Sequence, residues 1–380
     1  MSEFDTTLIH GGGVDDNNTG AVNVPIYNSS TYKYPELLGQ VRWDYARSGN
    51  PTRESVERLM AHLEDGSGAY AFSSGMAAIH AVFSIFKPGD HVIIGKNIYG
   101  GTFRLINEYL KDYGIKFTSI DTRDLDSLEK CIQANTKAIY FETLTNPLLQ
   151  FSDVKSIGKI AKKHGLLTIV DNTFLTPYLQ KPLTMGADLV VHSATKYLSG
   201  HSDLMAGVVV AKDKEVGDKI YQAQNTMGAT LSPQDSNLLQ RGIKTLSVRM
   251  DRHIENAKHV IEFLKSDPKV AKIYYPGCDG DANFDNIKDQ CAGFGGVLSF
   301  ELQPGLDVKG FINHLQLFTL AVSLGAVESL AEVPAFMSHF EIPKETRLQI
   351  GIKDELVRLS VGIEDYRDLI KDLEQALKFA

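Results

Sequence analysis

The stretch "LLTIVDNTFLTPYLQKPLTMGADLVVHSATK", residues 166–196, contains two apolar strands that each end in polar residues. The first strand ends at Asp171, and the second leads to Lys196. Strands that are apolar throughout, without alternation, are typical of a parallel sheet covered on both faces. Ligands of such sheets bind outside the carboxyl ends of the strands. The stretch therefore predicts an α/β fold with Asp171 and Lys196 at the ligand-binding edge of the sheet.

The same alternation of helices and strands extends over residues 66–212. "DHVIIG" and "TKAIYFET" have the pattern of strands, whereas "GMAAIHAVFSIF", "TFRLINEYLKDYG" and "SDVKSIGKIAKKHG" have the pattern of helices. Before them, "GNPTRESVERLMAHLEDG" predicts a helix with Asn50 as N-cap, Pro51 as first residue and Gly66 at its end. This alternation predicts a mainly parallel sheet.

The rest of the chain predicts a second, smaller domain. Residues 233–265 carry apolar residues at helical spacing, and we expect them to bridge two domains. "GGVLSFEL" and "LVRLSVG" read as strands, and an amphipathic helix begins near residue 365. We predict an N-terminal arm (1–48), a large domain (49–245) and a smaller α+β domain (246–380).

Composition excludes several classes of protein. The 380 residues are 43% hydrophobic with a net charge of -8, which argues against nucleic-acid or anionic-membrane partners. The three cysteines form neither a CxxC pair nor a disulfide framework, and the histidines lack metal-ligand spacing. No signal peptide and no run of ~20 apolar residues is present. We expect a cytoplasmic protein without a metal.

Asp171 and Lys196 allow two interpretations. A carboxylate at the end of a buried strand is costly unless it meets a cation, so Asp171 can form a structural ion pair with Lys196 or with an arginine. Alternatively, Asp171 holds the protonated ring nitrogen of pyridoxal phosphate while Lys196 bonds covalently to its aldehyde. The two residues alone leave both interpretations open.

A phosphate site is also predicted. "AYAFSSGMAAIHAVF" passes from a strand into a helix at Gly75, where free backbone N–H groups can bind an anion. Ordinary helix capping by serine explains this segment equally well. Ser193 and Thr195 supply further hydroxyl groups beside Lys196, which capping does not explain.

Each of four more residues can be explained either by a role in binding or by an ordinary structural role. Tyr45 and Arg47 lie two apart in an irregular arm, suited to an anion or simply solvated. Tyr99 follows a strand and either stacks on a cofactor ring or fills the core. Arg358, in an apolar strand, requires a bidentate partner, either an amino-acid carboxylate or a structural acid.

The motifs occur in the order of a known family. "YARSGNPT", "SSGMAA", "YGGTFR", "TNP", "VDNTF", "HSATKYLSGHSD" and "RLSVGIED" resemble the cystathionine γ-lyase, cystathionine β-lyase and cystathionine γ-synthase family, the pyridoxal-phosphate enzymes of Cys/Met metabolism. The resemblance covers the chain from about Thr7 to the last helix. It implies the aspartate aminotransferase-like fold of type I pyridoxal-phosphate enzymes, with a mainly parallel seven-stranded sheet in the large domain.

The resemblance also implies residue roles. Lys196 is the lysine that binds the cofactor and moves the α-proton, and together with Tyr99 and Asp171 it makes up the catalytic set. The implied cofactor-binding residues are Lys196, Tyr45, Arg47, Gly75, Met76, Tyr99, Asp171, Ser193 and Thr195. The implied substrate-binding residues are Asn146, Ser323, Arg358 and Arg104. The family's use of an arm from the neighbouring subunit implies a homotetramer built from catalytic dimers.

The implied activity is carbon–sulfur bond cleavage in trans-sulfuration, acting on cystathionine by β- or γ-elimination. Alternatives are a cystathionine γ-synthase-type transferase that uses an O-acylhomoserine, a methionine γ-lyase, and a catalytically silent homologue that serves in binding or assembly. The complete set of Lys196, Asp171, Tyr99 and Arg358 argues against the silent homologue.

Several positions bear on the choice of reaction. Gly101 stands where methionine γ-lyases usually have cysteine, and Arg104 can receive a distal carboxylate, so both favour cystathionine over methionine. Val322 replaces a glutamate of many γ-lyases and γ-synthases, which argues against the synthase. His339 and Glu341 are predicted near the distal amino group. Finally, Leu144 replaces a frequent proline, with only a local loop effect expected.

Overall fold

A seven-stranded sheet forms the centre of the chain in the computed structural model, which describes residues 3–13, 19–278, 284 and 288–380. Its strands are β1 Gly68–Phe72, β2 His91–Gly95, β3 Lys116–Ile120, β4 Thr136–Glu142, β5 Leu167–Asp171, β6 Leu189–Ser193 and β7 Gly207–Ala211. Their order is β1-β7-β6-β5-β4-β2-β3. The five strands β3, β2, β4, β5 and β6 are parallel, and β7 is antiparallel to both neighbours. The predicted fold class is confirmed.

Both faces of this sheet are buried, which explains the uninterrupted apolar strands. Val170 and Val190 face one buried cluster, whereas Ile169 and Val191 face the other. Because the parallel strands share one direction, β4, β5 and β6 end at the same edge, at Glu142, Asp171 and Ser193. This edge carries the site described below.

A second sheet has five strands in the order β10-β11-β12-β9-β8. They are β8 Val270–Tyr274, β9 Val297–Leu302, β10 Thr319–Leu320, β11 Leu330–Glu332 and β12 Leu356–Ser360. Only β10 and β11 pair in parallel. The two predicted strands of this region are therefore present as β9 and β12. The predicted domain boundaries at residues 48 and 245 stay predictions.

Helices cover the sheets, and their starts follow from local sequence. In the described part of the chain they are α1 Phe4–His10, α2 Pro51–Leu63, α3 Gly75–Phe83, α4 Gly100–Arg104, α5 Leu125–Lys130, α6 Val154–His164, α7 Thr176–Leu179, α8 Lys214–Met227, α9 Pro233–Ile243, α10 Leu246–Ser266, α11 Val308–Asn313, α12 Lys344–Gln349 and α13 Tyr366–Ala376. The Asn50 side chain accepts hydrogen bonds from the first turn of α2, as predicted, but α2 ends at Leu63 rather than at Gly66. None of the described helices is long and apolar enough to cross a membrane.

Two predicted helices are interrupted. Residues 102–114 are expected to form one helix. They form the end of α4, then a π-helical turn over Leu105–Tyr109 and a 3₁₀ turn over Leu110–Tyr113. The helix expected over residues 233–265 is split into α9 and α10. At this break the Gly242 carbonyl accepts from Arg249 Nη2 at 2.9 Å, and a Cβ on Gly242 would lie 2.3 Å from the Ser199 carbonyl oxygen. Close packing against the chain after Lys196 therefore favours a break that periodicity does not reveal.

Candidate active site

Asp171 lies at the carboxyl end of β5 and is almost fully buried. Its Oδ1 accepts from the Thr173 hydroxyl at 2.6 Å and from the Thr173 N–H at 3.0 Å. The Tyr140 hydroxyl lies 3.4 Å from its Oδ2. Burial raises the pKa of Asp171, and the bonds from Thr173 oppose that rise. The carboxylate is thus oriented by fixed donors.

Asp171 forms no ion pair within the part of the chain that the structure describes. Its hydrogen-bond partners are the neutral Thr173 and Tyr140, and none of the ion pairs between described residues includes it. The structural ion pair with Lys196, one of the two interpretations of the sequence, is therefore not formed. A buried carboxylate held by hydrogen bonds but lacking a cation fits the protonated ring nitrogen of pyridoxal phosphate.

Lys196 follows β6 and donates from Nζ to the Ser323 hydroxyl at 2.7 Å. The pKa of Lys196 is lowered from 10.5 to about 8, mainly by burial and then by the nearby positive charge of Arg358, whereas Glu332 opposes the shift. An amine with this pKa is neutral in a large fraction of molecules near pH 8. Only the neutral form can attack an aldehyde or remove a proton.

Ser323 connects Lys196 to Arg358. Its hydroxyl accepts from Lys196, and its backbone carbonyl accepts from Arg358 Nη2 at 2.6 Å. The residue has a φ of 91°, a left-handed conformation that is unfavourable for a side chain other than glycine. Backbone strain at a residue that contacts two site cations is typical of a functional position.

Arg358 on β12 is buried and already has an acidic partner. Its Nη1 lies 2.9 Å from Glu332 Oε1, and it donates to Asn146 Oδ1 at 2.9 Å. Glu332 and Arg358 are directly opposite each other in the β11–β12 ladder. Arg358 Nε has no hydrogen-bond partner among the described residues. The structural acid considered for Arg358 therefore exists, and the Nε–H remains for a further acceptor.

The start of α3 approaches the end of β6. The Ser74 hydroxyl accepts from the Ala77 N–H at 3.1 Å and caps the helix. A Cβ on Gly75 would lie 2.9 Å from Ser193 Cβ, so only glycine permits this approach. Capping by Ser74 leaves the first N–H groups of α3, including that of Met76, available for an anion, which fits a phosphate.

The two predicted hydroxyl donors beside Lys196 differ. The Ser193 hydroxyl has no hydrogen-bond partner in the described part of the chain. The Thr195 hydroxyl, however, donates to the Ala206 carbonyl at 3.2 Å and accepts from the Ala206 N–H at 3.0 Å. Thr195 therefore fastens the turn around Lys196 to the start of β7, and its role as a phosphate donor stays a prediction.

Tyr99 precedes α4, and its backbone N–H donates to Glu142 Oε1 at 2.5 Å. Its side chain is 49% exposed, so it is not a core tyrosine. A Cβ on Gly101 would lie 2.5 Å from Tyr99 Cε1 and 2.8 Å from Met76 Sδ. The Tyr99 ring therefore lies over Gly101 beside Met76, near the start of α3, where a planar cofactor ring can stack on it.

Tyr45 and Arg47 are not joined to these residues by any hydrogen bond between described residues. Arg47 Nη1 donates to the backbone carbonyl of Asn225 at 2.7 Å and to its Oδ1 at 3.2 Å. The guanidinium lies 5.5 Å from the centre of the Tyr45 ring. Their predicted contact with the phosphate group of a neighbouring subunit stays a prediction.

Arg104, expected to receive a distal carboxylate, is paired with Glu341 at 2.7 Å in an exposed position. Nearby, the buried His339 ring makes a 2.9 Å hydrogen bond to the Ser338 hydroxyl through Nδ1. Burial, and then the charge of Arg358, lowers the pKa of His339 to about 4, so it is neutral at physiological pH. A neutral histidine can donate or accept, but it does not supply charge to a substrate.

Sequence reasoning missed several functional neighbours. Glu332 forms an ion pair with Arg358. Glu142 accepts a hydrogen bond from the Tyr99 backbone N–H, and Ser338 donates one to Glu332. Glu142 could have been found, since it ends a parallel strand next to β5 exactly as Asp171 ends its own. For Glu332 the signal was the buried Arg358 itself, which requires an acid somewhere, but the sequence does not say where.

The fold and the site together define a pyridoxal-phosphate enzyme. The chain matches the family described as "Cys/Met metabolism PLP-dependent enzyme" over residues 5–378, and it belongs to that family. It is 53% identical over 378 residues to a cystathionine beta-lyase of Lactococcus lactis subsp. cremoris (strain MG1363), with all of both chains covered. It is 52% identical to a cystathionine gamma-lyase of Bacillus subtilis (strain 168), with 98% of each chain covered.

A solved structure is equally similar. The cystathionine gamma-lyase from Lactobacillus plantarum, complexed with L-serine, superposes with a TM-score of 0.97 at 54% identity, and the match covers 100% of this chain and 99% of that one. The predicted family, fold and cofactor are confirmed. Pyridoxal phosphate is the cofactor of this enzyme family.

Proposed function

We propose that this protein is a carbon–sulfur lyase that cleaves cystathionine into a thiol amino acid, a 2-oxo acid and ammonia. The observation that supports it most directly is Lys196, a partly buried lysine whose pKa is lowered to about 8 and whose Nζ is linked through Ser323 to the buried Arg358. The names of the similar lyases support cystathionine as the substrate.

Each residue has a defined task in this proposal. Asp171 holds the ring nitrogen, the start of α3 and Ser193 hold the phosphate, and the Tyr99 ring covers the cofactor. Pyridoxal phosphate, when bound, withdraws electrons and so stabilises negative charge at the carbon that loses a proton. Lys196 Nζ removes the α-proton, and it must be neutral to do so.

Arg358 is proposed to bind the substrate carboxylate. Its guanidinium is held by Glu332, Asn146 and the Ser323 carbonyl, so it offers its donors in a fixed orientation. Arg104 is proposed to bind the distal carboxylate of cystathionine. It would then exchange its exposed bond to Glu341 for one to the substrate.

Product analysis on cystathionine alone tests this function. Homocysteine with pyruvate indicates β-cleavage, whereas cysteine with 2-oxobutyrate indicates γ-cleavage, and either pair with ammonia supports the lyase. Turnover that requires both an O-acylhomoserine and a thiol would instead show the transferase. Release of methanethiol from methionine in preference to cleavage of cystathionine would show a methionine γ-lyase.

We further propose that the enzyme is a cytoplasmic homotetramer. The arm leaves Val22, Leu37 and Leu38 almost fully exposed, as expected for residues that a neighbouring subunit covers. The three cysteines are free, which agrees with a reducing compartment. Light scattering tests the tetramer, and cell fractionation tests the location. Mixing inactive Arg47→Ala and Lys196→Ala subunits should restore activity only if the arm completes a neighbour's site.

A further inference from the structure

Glu332 is a buried acid that contacts Arg358 but does not itself bind the substrate or the cofactor in the proposed reaction. It lies on β11, directly opposite Arg358 on β12, with its Oε1 2.9 Å from Arg358 Nη1. The Ser338 hydroxyl donates to the same oxygen at 2.7 Å. No water-accessible surface remains on either side of this pair beyond 3% of the Arg358 side chain.

The pair is poorly arranged for stability alone. The second carboxylate oxygen of Glu332 has no partner among the described residues, and neither has Arg358 Nε. A buried ion pair usually contributes little stability relative to apolar side chains of the same size, because both charges lose their hydration. Incomplete hydrogen bonding makes that loss larger. The position of the pair beside Lys196 provides a better reason for it.

Three charged groups share one buried space. Arg358 contacts the Ser323 carbonyl, and the Ser323 hydroxyl contacts Lys196 Nζ, so the guanidinium and the amine lie on either side of a single residue. An arginine this close to a lysine would suppress the charged form of the amine strongly. Glu332, placed on the guanidinium, opposes this effect.

We propose that Glu332 is a positioning residue that acts through Arg358: it orients the guanidinium for a carboxylate and offsets its charge beside Lys196. This inference rests on the proposed roles of Lys196 and Arg358. The opposite effects of Arg358 and Glu332 agree with the pKa of Lys196. Burial lowers this pKa most, Arg358 also lowers it, and Glu332 raises it.

The other titratable groups near the pair do not replace Glu332. Tyr197 is buried, and its pKa is raised by burial, so it is neutral. His339 is neutral because its pKa is lowered to about 4 by burial and by Arg358. Arg347 is paired with Asp354 on its own segment. Among the described residues, Glu332 is thus the acid in direct contact with Arg358.

The test is the pH dependence of cofactor uptake by the cofactor-free protein, followed by the visible absorption band. Uptake needs the neutral amine, so its rate should rise with pH with a midpoint near pH 8 in the wild type. Glu332→Gln should lower the midpoint by about one pH unit, whereas Arg358→Gln should raise it. Glu332→Asp, which keeps the charge, should leave it near the wild-type value.

Ser338→Ala is the matched control, because it removes a hydrogen bond to Glu332 but no charge. An unchanged midpoint in a folded Glu332→Gln protein, or an equal shift in Ser338→Ala, overturns the proposal. If Glu332→Gln does not fold, Arg358→Gln decides, and a midpoint that stays or falls overturns it. Lys196→Ala must lose the band altogether, which separates a wrong lysine from a wrong role for Glu332. None of these measurements depends on the substrate.

Discussion

The two ends of the site, the acid end at Asp171 and the basic end at Arg358, differ in whether the buried charge has a counter-ion. At the edge of the large sheet the Asp171 carboxylate has only neutral hydrogen-bond partners, whereas in the second sheet the Arg358 guanidinium already has Glu332. In the proposed function, the acid end is completed when a cationic ring binds. The basic end already has its counter-ion within the chain, so the guanidinium is oriented before substrate arrives. The acid end therefore suits a cofactor that stays bound, and the basic end suits a substrate that binds and leaves.

Replacement of Lys196 has the largest expected effect, because both ends act through this residue. Lys196→Ala should abolish the covalent visible band and lower kcat by about 10³- to 10⁴-fold, since it removes both the anchor and the proton carrier. Absorption spectra and turnover with cystathionine measure the two losses. A variant that keeps the wild-type spectrum would rule out the proposed anchor.

Asp171→Asn tests the acid end and should lower kcat by about 10²- to 10³-fold while cofactor uptake persists. Burial raises the pKa of Asp171 in the folded chain. The folded state therefore holds the proton more tightly than the unfolded state, and the free energy of unfolding falls as the pH rises above 3.8, the ordinary value.

The same variant should therefore be more stable than the wild type without cofactor at pH 7, because asparagine has no charge to bury. Thermal unfolding of both cofactor-free proteins between pH 4 and pH 7 measures this difference, which should narrow as the pH falls. Equal Tm values at pH 7 would show that Asp171 does meet a cation in the cofactor-free chain.

Gly101→Ala tests the fit around the Tyr99 ring. The new Cβ would lie 2.5 Å from Tyr99 Cε1, so the ring must move and cofactor affinity should fall about tenfold. Gly100→Ala is the matched control, because its Cβ would meet nothing closer than the Ser338 carbonyl at 3.8 Å. Equilibrium titration with the cofactor compares the two variants, and equal affinities would contradict the steric argument.

Arg104→Gln should have the smallest effect on stability. Its ion pair with Glu341 is exposed, so loss of the pair should change the free energy of unfolding by less than about 1 kcal/mol. Breaking the buried Glu332–Arg358 pair should cost about 3–5 kcal/mol. Denaturant unfolding of Arg104→Gln, Glu341→Gln and the double variant measures the exposed pair, and denaturant unfolding of Glu332→Gln measures the buried one. Meanwhile, KM for cystathionine should rise in Arg104→Gln, and an unchanged KM would remove Arg104 from the substrate site.

The same contrast explains what the sequence could predict. The acid end follows from local sequence, because Asp171 ends an apolar strand and Gly75 begins a helix. The Asn50 cap of α2 likewise follows from a few neighbouring residues. The basic end depends on contacts between distant segments. That Glu332 meets Arg358, that Glu341 meets Arg104 and that α9 breaks before α10 are consequences of packing, which periodicity and composition do not encode.

The family motifs closed part of that gap, because they associated Ser323, Asn146 and Arg358 before any contact was known. The structure brings these three residues together with Lys196. It does not bring Arg47 to them, since the Arg47 guanidinium is bonded to Asn225.

The left-handed backbone at Ser323 has a consequence for repeated turnover. In the proposed function, Lys196 would have to leave the cofactor for each substrate and return to it afterwards, which its long, flexible side chain permits. Because the Ser323 carbonyl is held by Arg358, its hydroxyl stays in place while the amine moves. The Ser323 hydroxyl thus holds the free Lys196 amine close to the site, so the amine has only a short distance to move back to the cofactor. Recapture at the end of each cycle should then be faster than the first loading of the enzyme.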